Sequence, residues 1–242
     1  MRKLLCLVAF MAIPLGMMAQ DDFGIWTSIE AQKKIDKKLT VGVEAELRTR
    51  NNSKTVDRRS GSLSATYKLL PWLKAGVSYT FIRDNNQEKI TYHSDGTYNN
   101  RRPSYWGNRH RFSADLTGSL KLGDFEFSLR ERWQYTYRPE VTTTRYDYDN
   151  EKWEDTTVKE KNKHVLRSRL QVEYDIPHSK ITPYASVELY NGWKLQKTRY
   201  TLGADWKIAK QHTIGAFYRY QSVQDDDDPN RHILGLSYKF KF

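Results

Sequence analysis

The sequence has little sulfur and none of it lies in the bulk of the chain. The single cysteine, Cys6, and all four methionines lie within the first 18 residues. A chain that loses this segment has no thiol, no disulfide and no cysteine metal ligand. The sequence also lacks a Gly-x-Ser-x-Gly motif, a phosphate-binding glycine-rich loop and a Cys/His cluster. We therefore predict a protein that is not an enzyme, with no catalytic residue, no metal and no cofactor.

Long apolar runs are missing as well. After residue 20 no run approaches the roughly 20 residues that a membrane-spanning helix needs. The low hydropathy would suit a soluble protein, but that argument fails for a barrel, in which each lipid-facing residue alternates with a polar one. A membrane protein with this sequence must cross with strands, because strands closed into a barrel are the only alternative that satisfies every backbone group in lipid.

The first 20 residues have the pattern of a secretory signal peptide. Arg2 and Lys3 form a cationic start, residues 4–18 are apolar, and Ala19 is a suitable cleavage residue. We predict a signal peptide over residues 1–19 and one barrel domain over residues 20–242. The alternative, an uncleaved anchor helix, is disfavoured because the apolar run is too short.

Apolar and polar residues alternate with a period of two through the rest of the chain. The last strand shows this best, since one face carries only apolar side chains: Leu234, Leu236, Tyr238, Phe240 and Phe242. Strand side chains point alternately to opposite faces, and segments of about ten residues suit tilted transmembrane strands. The pattern predicts an all-β fold, a transmembrane antiparallel up-and-down β-barrel of about 10–12 strands. Glu131 breaks the pattern between Leu129 and Trp133, so we expect a bulge or an interfacial position there.

The number of strands is a difficulty. Eleven segments alternate, beginning with residues 23–33, but bacterial single-chain barrels have even numbers. Either the first segment is not a full wall strand, or a strand lies hidden in the long polar connections at residues 83–108 and 138–163. The alternation of Tyr146 and Tyr148 with acidic residues indicates strand extensions above the membrane. The acidic run at residues 225–228 suits a solvated loop tip better than a cation site.

The polar parity places sixteen charged residues on the interior face. They are Arg48, Arg50, Arg111, Arg130, Arg132, Arg167, Arg169, Arg199, Arg219, Glu44, Glu46, Asp115, Glu126, Glu173, Glu188 and Asp205. One interpretation is a slightly cationic pore that favours anions. The other is a static network of ion pairs that fills a narrow barrel. The sequence leaves both open.

Short motifs along the chain resemble a known family. They are Asp-Phe-Gly-x-Trp at residues 22–26, Glu46-x-Arg48, Pro183-x-x-Ser186-x-Glu188, Arg199-Tyr200 and Tyr-Arg-Tyr at residues 218–220. The chain resembles an uncharacterised family of Bacteroidota outer-membrane β-barrels, a domain-of-unknown-function family. The resemblance implies a barrel in the outer membrane without an established activity, and it transfers no catalytic residues.

We therefore expect an outer-membrane protein, with a small porin-like channel or solute-binding barrel as the leading hypothesis. The alternatives are a plugged structural or surface-interaction barrel that displays loops, and a membrane-embedded enzyme acting on lipid or lipopolysaccharide. Expected partners are outer-membrane lipid, lipopolysaccharide and the barrel-assembly machinery, which would read the C-terminal aromatic residues Phe240 and Phe242. Nucleic acid is excluded as a partner because a signal peptide removes the chain from the cytoplasm.

Overall fold

The computed structural model describes residues 21–224 and 229–242. The predicted signal peptide and the acidic run lie outside these residues. The described chain folds into fifteen strands: β1 (Asp22–Lys34), β2 (Leu39–Arg50), β3 (Thr55–Leu70), β4 (Leu73–Asn86), β5 (Lys89–Tyr92), β6 (Tyr98–Arg102), β7 (Tyr105–Leu122), β8 (Phe125–Arg138), β9 (Val141–Asp147), β10 (Lys152–Val158), β11 (Lys161–Tyr174), β12 (Ile181–Asn191), β13 (Leu195–Lys207), β14 (His212–Val223) and β15 (Arg231–Lys241). This part of the chain contains no helix that is long and apolar enough to cross a membrane.

Eleven of the strands close into a barrel in the order β1-β15-β14-β13-β12-β11-β8-β7-β4-β3-β2. The all-β barrel that the alternation predicts is therefore confirmed. Each neighbouring pair is antiparallel except the closing pair, in which β1 and β15 run parallel from Asp22 opposite Arg231 to Gln32 opposite Lys241. The first strand pairs on both edges and is a full wall strand. The expectation of an even strand number is wrong for this chain, because a parallel closing pair accommodates an odd one.

The connections at one end of the wall have two to six residues, whereas both long connections lie at the other end. Between β7 and β8 the chain reverses within two residues, and Gly123 adopts the positive φ of 60° that such a hairpin turn demands. Between β1 and β2, the Asp36 carboxylate accepts backbone hydrogen bonds from Lys38 (2.6 Å) and Leu39 (2.8 Å). These two bonds hold the pKa of Asp36 below its ordinary value, and the bond from Lys38 has the larger effect. We call the end with the longer connections the upper end.

The two long connections at the upper end form a sheet of their own. Strands β10, β9, β6 and β5 pair in that order, and β6 joins β9 through Asn100 opposite Asp147 and Arg101 opposite Tyr146. The Tyr98 and Tyr148 rings stack across this junction with their centroids 5.1 Å apart. The strands expected above the membrane are present, but they build a separate sheet instead of extending the wall.

The outer face of the wall is apolar, and the interior is polar. Ile29 and Leu63 expose 64% and 60% of their surface, and most other large apolar side chains of the wall are also exposed. Buried side chains include charged groups such as Arg50, Glu188 and Arg199. This inverted distribution is what a hydrocarbon surrounding and a polar lumen require of a barrel.

Glu131 lies on the apolar outer face, as its sequence parity predicts. The bulge expected there is wrong, since β8 pairs with β7 and β11 across this position without a register shift. Instead Ser168, directly opposite on β11, donates its hydroxyl to the Glu131 carboxylate at 2.7 Å. A local polar pair thus takes the place of a backbone irregularity.

Candidate functional site

Several cavities lie one above the other in the interior of the barrel. The uppermost has a volume of about 360 Å³, two in the middle about 230 and 340 Å³, and the lowest about 270 Å³. We call the uppermost cavity the upper vestibule. Its walls come from the upper ends of strands on all sides of the barrel, among them Asp57 of β3, Arg138 of β8 and Arg231 of β15.

The upper vestibule carries a large excess of positive charge. Its cationic side chains are Arg48, Arg58, Arg109, Arg111, Arg138, Lys161, Lys163, Arg167, Lys197, Arg199 and Arg231, whereas Asp57 is the one acidic side chain among the described residues of its wall. Four further carboxylates form ion pairs with these cations: Asp22, Glu46, Asp84 and Glu188. Among the residues that the structure describes, eleven cations against five anions leave a formal excess of six positive charges.

Some of the vestibule cations are held by carboxylates. Asp84 accepts from Arg58 Nε at 2.5 Å and lies 2.7 Å from Arg109 Nε. On the neighbouring strand Asp57 accepts from Arg50 Nη1 at 2.9 Å, and the same nitrogen also donates to the Asn85 carbonyl. These pairs fix the guanidinium planes along the wall between β2 and β7.

Two other vestibule cations have no carboxylate partner among the described residues. Arg111 donates from Nε to the Thr136 hydroxyl at 3.3 Å. The Lys197 ammonium lies over the Tyr190 ring, 4.8 Å from its centroid. A hydroxyl and an aromatic face satisfy these groups only in part. Both cations therefore remain able to contact an anion that enters the vestibule.

Below the vestibule a buried carboxylate gathers side chains from four strands, β8, β11, β12 and β13. Glu188 of β12 accepts from Arg130 Nη2 (2.7 Å), from Arg167 Nη2 (2.9 and 3.0 Å) and from the Tyr190 hydroxyl (2.9 Å). Arg199 lies 3.9 Å from the same carboxylate and also donates to Tyr190. We call these five residues the Glu188 cluster. A buried carboxylate needs such partners to offset its desolvation.

Trp26 of β1 completes the floor of the vestibule. Its ring packs against the guanidinium carbons of Arg48 (3.7 Å), Arg199 (4.9 Å) and Arg219 (5.2 Å). Arg199 thus belongs both to this stack and to the Glu188 cluster. Because Arg199 lies on β13, which is not a neighbour of β1, the contact crosses the interior. Residues of the stack and the cluster line both the vestibule and a cavity beneath it.

The lowest cavity has a different chemistry. Its charged side chains are Lys121, Lys207, Lys239, Lys241, Asp124, Glu126, Glu173, Asp175 and Asp205. Four lysines against five carboxylates leave almost no net charge. Arginine, which dominates the vestibule, is absent from the described wall of this cavity.

Fifteen of the sixteen charged residues selected by parity border the interior cavities. The exception is Arg50, which is buried at the top of β2 against Asp57. The structure brings Arg130, Arg167, Arg199 and Glu188 into contact, and separately pairs Arg132 with Asp115 at 2.8 Å. Glu126, Glu173 and Asp205 lie far below, around the lowest cavity. Whether these residues line a path for solutes stays a prediction.

Sequence reasoning missed several vestibule residues. The alternation used for the prediction did not reach Arg58 of β3 or Arg109 of β7, so neither was among the sixteen residues selected by parity. Both strands extend further upward, and continuing the parity would have placed these arginines inside. Trp26 was missed because an aromatic residue on the polar parity carries no distinct signal. Within the described residues no group of three His, Cys, Asp or Glu side chains is placed to hold a metal ion; the lack of enzymatic activity stays a prediction.

Known structures share the barrel architecture. The β domain of the Bordetella autotransporter Brka has a TM-score of 0.52 and 14% identity, over 83% of this chain and 78% of that one. The translocator domain of the autotransporter NalP from Neisseria meningitidis has a TM-score of 0.49 and 13% identity, over 80% and 71%. The Ralstonia pickettii toluene transporter TbuX has 0.42 and 10%, over 80% and 60%. The first of these likenesses shows the fold, which resembles that of bacterial outer-membrane β-barrels.

No functionally curated protein matches the sequence significantly. One family model, described as a protein of unknown function, matches residues 23–233, which is most of the chain and reaches from β1 into β15. The domain-of-unknown-function character implied by the sequence motifs is therefore confirmed, while an origin in Bacteroidota stays a prediction. The chain belongs to the family of proteins of unknown function called DUF2490.

Proposed function

We propose that this protein is an outer-membrane barrel that captures small anionic solutes in the upper vestibule. The observation that carries the proposal is the excess of positive charge there, with Arg111 and Lys197 lacking carboxylate partners among the described residues. Positive charges that are confined together in a partly buried space need a counter-charge. Phosphate, sulfate and carboxylate groups suit guanidinium donors in geometry as well as in charge.

The apolar outer face and the asymmetry of the connections support an orientation in the membrane. Outer-membrane barrels have short periplasmic turns and longer extracellular loops. In that orientation the upper vestibule and the separate four-stranded sheet face the cell exterior, and Phe242 lies on the periplasmic side. A solute then meets the basic cavity first, before any other part of the interior.

The floor of the vestibule supports capture rather than free diffusion. The Glu188 cluster and the Trp26 stack occupy the middle of the barrel with buried side chains. Passage of a solute requires these contacts to open, as expected of a barrel so narrow that side chains fill its interior. The resting protein is accordingly a solute-binding barrel with a closed floor.

Anion binding to the purified protein tests the proposal. Calorimetry with inorganic phosphate and tripolyphosphate should detect binding that weakens as salt is added. The double variant R111Q/K197Q should bind at least about tenfold more weakly, since it loses two charge-assisted contacts of about 1.5 kcal/mol or more. The control K207Q/K239Q removes two lysines from the lowest cavity and should leave affinity unchanged. Equal affinity in the wild type and R111Q/K197Q would contradict the proposal.

Planar-bilayer recording tests the closed floor. The wild type should show no lasting conductance steps. Trp26→Ala removes the ring that packs against three guanidinium groups and should permit steps that favour anions. Steady steps in the wild type would instead mean that the interior is an open pore.

A second candidate function is surface display. It is favoured by the ordered sheet above the barrel, where Tyr146 and Trp153 pack with their ring centroids 5.3 Å apart. Aromatic loops held rigidly outside a membrane suit recognition of another surface. This hypothesis predicts that neither phosphate nor tripolyphosphate binds to the purified protein, so the same calorimetry separates the two functions.

A further inference from the structure

A groove lies on the outer face of the wall, away from the interior. Four neighbouring strands place Ile29, Ala45, Gly61 and Phe81 side by side in one outward row. The two central residues are small, whereas Ile29 and Phe81 project on either side. A Cβ atom added to Gly61 would meet no atom within 4 Å. The result is a depression of about 600 Å³, shaped by the absence of a side chain at Gly61.

Two arginines border the upper edge of this groove. Arg59 and Arg83 lie directly opposite each other on β3 and β4, one outward row above Gly61. Both are exposed, and their guanidinium carbons lie 5.4 and 5.9 Å from the centroid of the Trp106 ring. Within the described chain neither of them contacts a carboxylate. Like charges directly opposite on neighbouring strands destabilise a sheet, so an anion bound between them would remove a repulsion.

The height of the two arginines on the wall indicates what kind of anion they meet. From Arg59 down to Leu69 the outward side of β3 spans ten residues, or roughly 33 Å of strand. At a tilt of about 40° this corresponds to roughly 25 Å along the membrane normal, the height of the apolar band of such barrels. Arg59 and Arg83 therefore lie at its upper boundary, where Trp106 also suits the interface. Phosphate groups of the outer leaflet lie at this level.

We propose that the groove binds one molecule of lipopolysaccharide. An acyl chain lies over Ala45 and Gly61 between Ile29 and Phe81, and a phosphate of the glycolipid headgroup accepts hydrogen bonds from Arg59 and Arg83. The planar donors match phosphate oxygens, and the groove below them is largely apolar. The inference rests on the membrane orientation proposed above, but not on anion capture in the vestibule.

Native mass spectrometry of the full-length protein in detergent micelles, titrated with bisphosphorylated lipid A, tests the site. We expect R59Q/R83Q to bind at least about tenfold more weakly, by the loss of two charge-assisted contacts. Gly61→Leu fills the groove and should weaken binding several-fold. Two controls should retain affinity: Arg101→Gln, an exposed arginine of the separate sheet, and Gly118→Leu, an outward glycine of β7. The mobility of unheated against heated samples in gels shows which variants are folded.

Competing ligands make the outcome decisive. Lipid A should bind more tightly than phosphatidylglycerol or inorganic phosphate at this site. Equal affinity for lipid A and phosphatidylglycerol, or unchanged lipid A binding in R59Q/R83Q, would overturn the proposal. The two sites are separable, because R59Q/R83Q should keep phosphate binding in the vestibule while R111Q/K197Q should keep lipid A. A variant that keeps the binding it should lose therefore identifies which proposal fails.

Discussion

Glu131 and Glu188 lie at nearly the same level of the wall and face opposite sides of it. Ser168 is opposite Glu131 on one edge of β11 and opposite Leu189, the neighbour of Glu188, on the other. Glu188 points inward and is 6% exposed, with contacts to three guanidinium groups and a tyrosine. Glu131 points outward and has one hydroxyl donor. The two faces of the sheet thus have different surroundings. A glutamate has four partners on the interior face and one on the outer face.

Removing the interior carboxylate should have the largest effect. Glu188→Ala leaves Arg130 and Arg167 without their shared acceptor and should lower the free energy of unfolding by about 3–5 kcal/mol. Urea titration of the refolded protein in micelles, followed by tryptophan fluorescence, measures the change. Glu126→Ala, at the exposed lower end of the interior, is the control and should change stability by less than about 1 kcal/mol. Equal losses would mean that the interior is uniform.

Removing the outward carboxylate should do the reverse. Glu131→Leu replaces a charged group in the middle of the lipid-facing surface with an apolar one and should raise the free energy of unfolding by about 1–2 kcal/mol. The same titration detects the gain. Glu126→Leu, on the interior face of the same strand, should bring no gain. Destabilisation by Glu131→Leu would show that this carboxylate has a partner or a role beyond Ser168.

The single partner of Glu131 can be measured by a double-mutant cycle. Ser168→Ala should cost about 1 kcal/mol in the wild type, since it leaves the carboxylate without its donor. In the Glu131→Leu background the same substitution should cost nearly nothing, because no carboxylate remains to be satisfied. Equal costs in both backgrounds would show that the 2.7 Å contact does not stabilise the wall.

The smallest effect is expected at the lower end of the interior. Lys239 lies 3.2 Å from Glu30, and both side chains are partly exposed. Lys239→Gln should lower stability by less than about 0.5 kcal/mol, and added salt should erase the difference. A loss as large as that of Glu188→Ala would remove the distinction between the buried arginine network and the exposed lysine pairs.

The two faces of the wall were predictable from sequence because alternation depends only on neighbouring residues. It placed Glu131 outside, and it placed Arg130 and Glu188 on the polar face. Contacts such as that of Trp26 with Arg199 were not predictable, since they depend on register between strands far apart in the chain. Arg50 shows the same limit: the register shift after Arg48 lies just before it, and local parity carries no sign of such an irregularity.

The parallel pairing of β1 with β15 has a consequence for the two ends of the chain. In an even-stranded barrel both ends emerge on the same side of the membrane. Here Asp22 is at the upper end beside Arg231, whereas Lys241 is at the lower end beside Gln32. With eleven strands, the first strand therefore begins on one side of the membrane and the last strand ends on the other. A peptide tag fused just before Asp21 would be displayed on one side of the membrane, and a tag fused after Phe242 on the other.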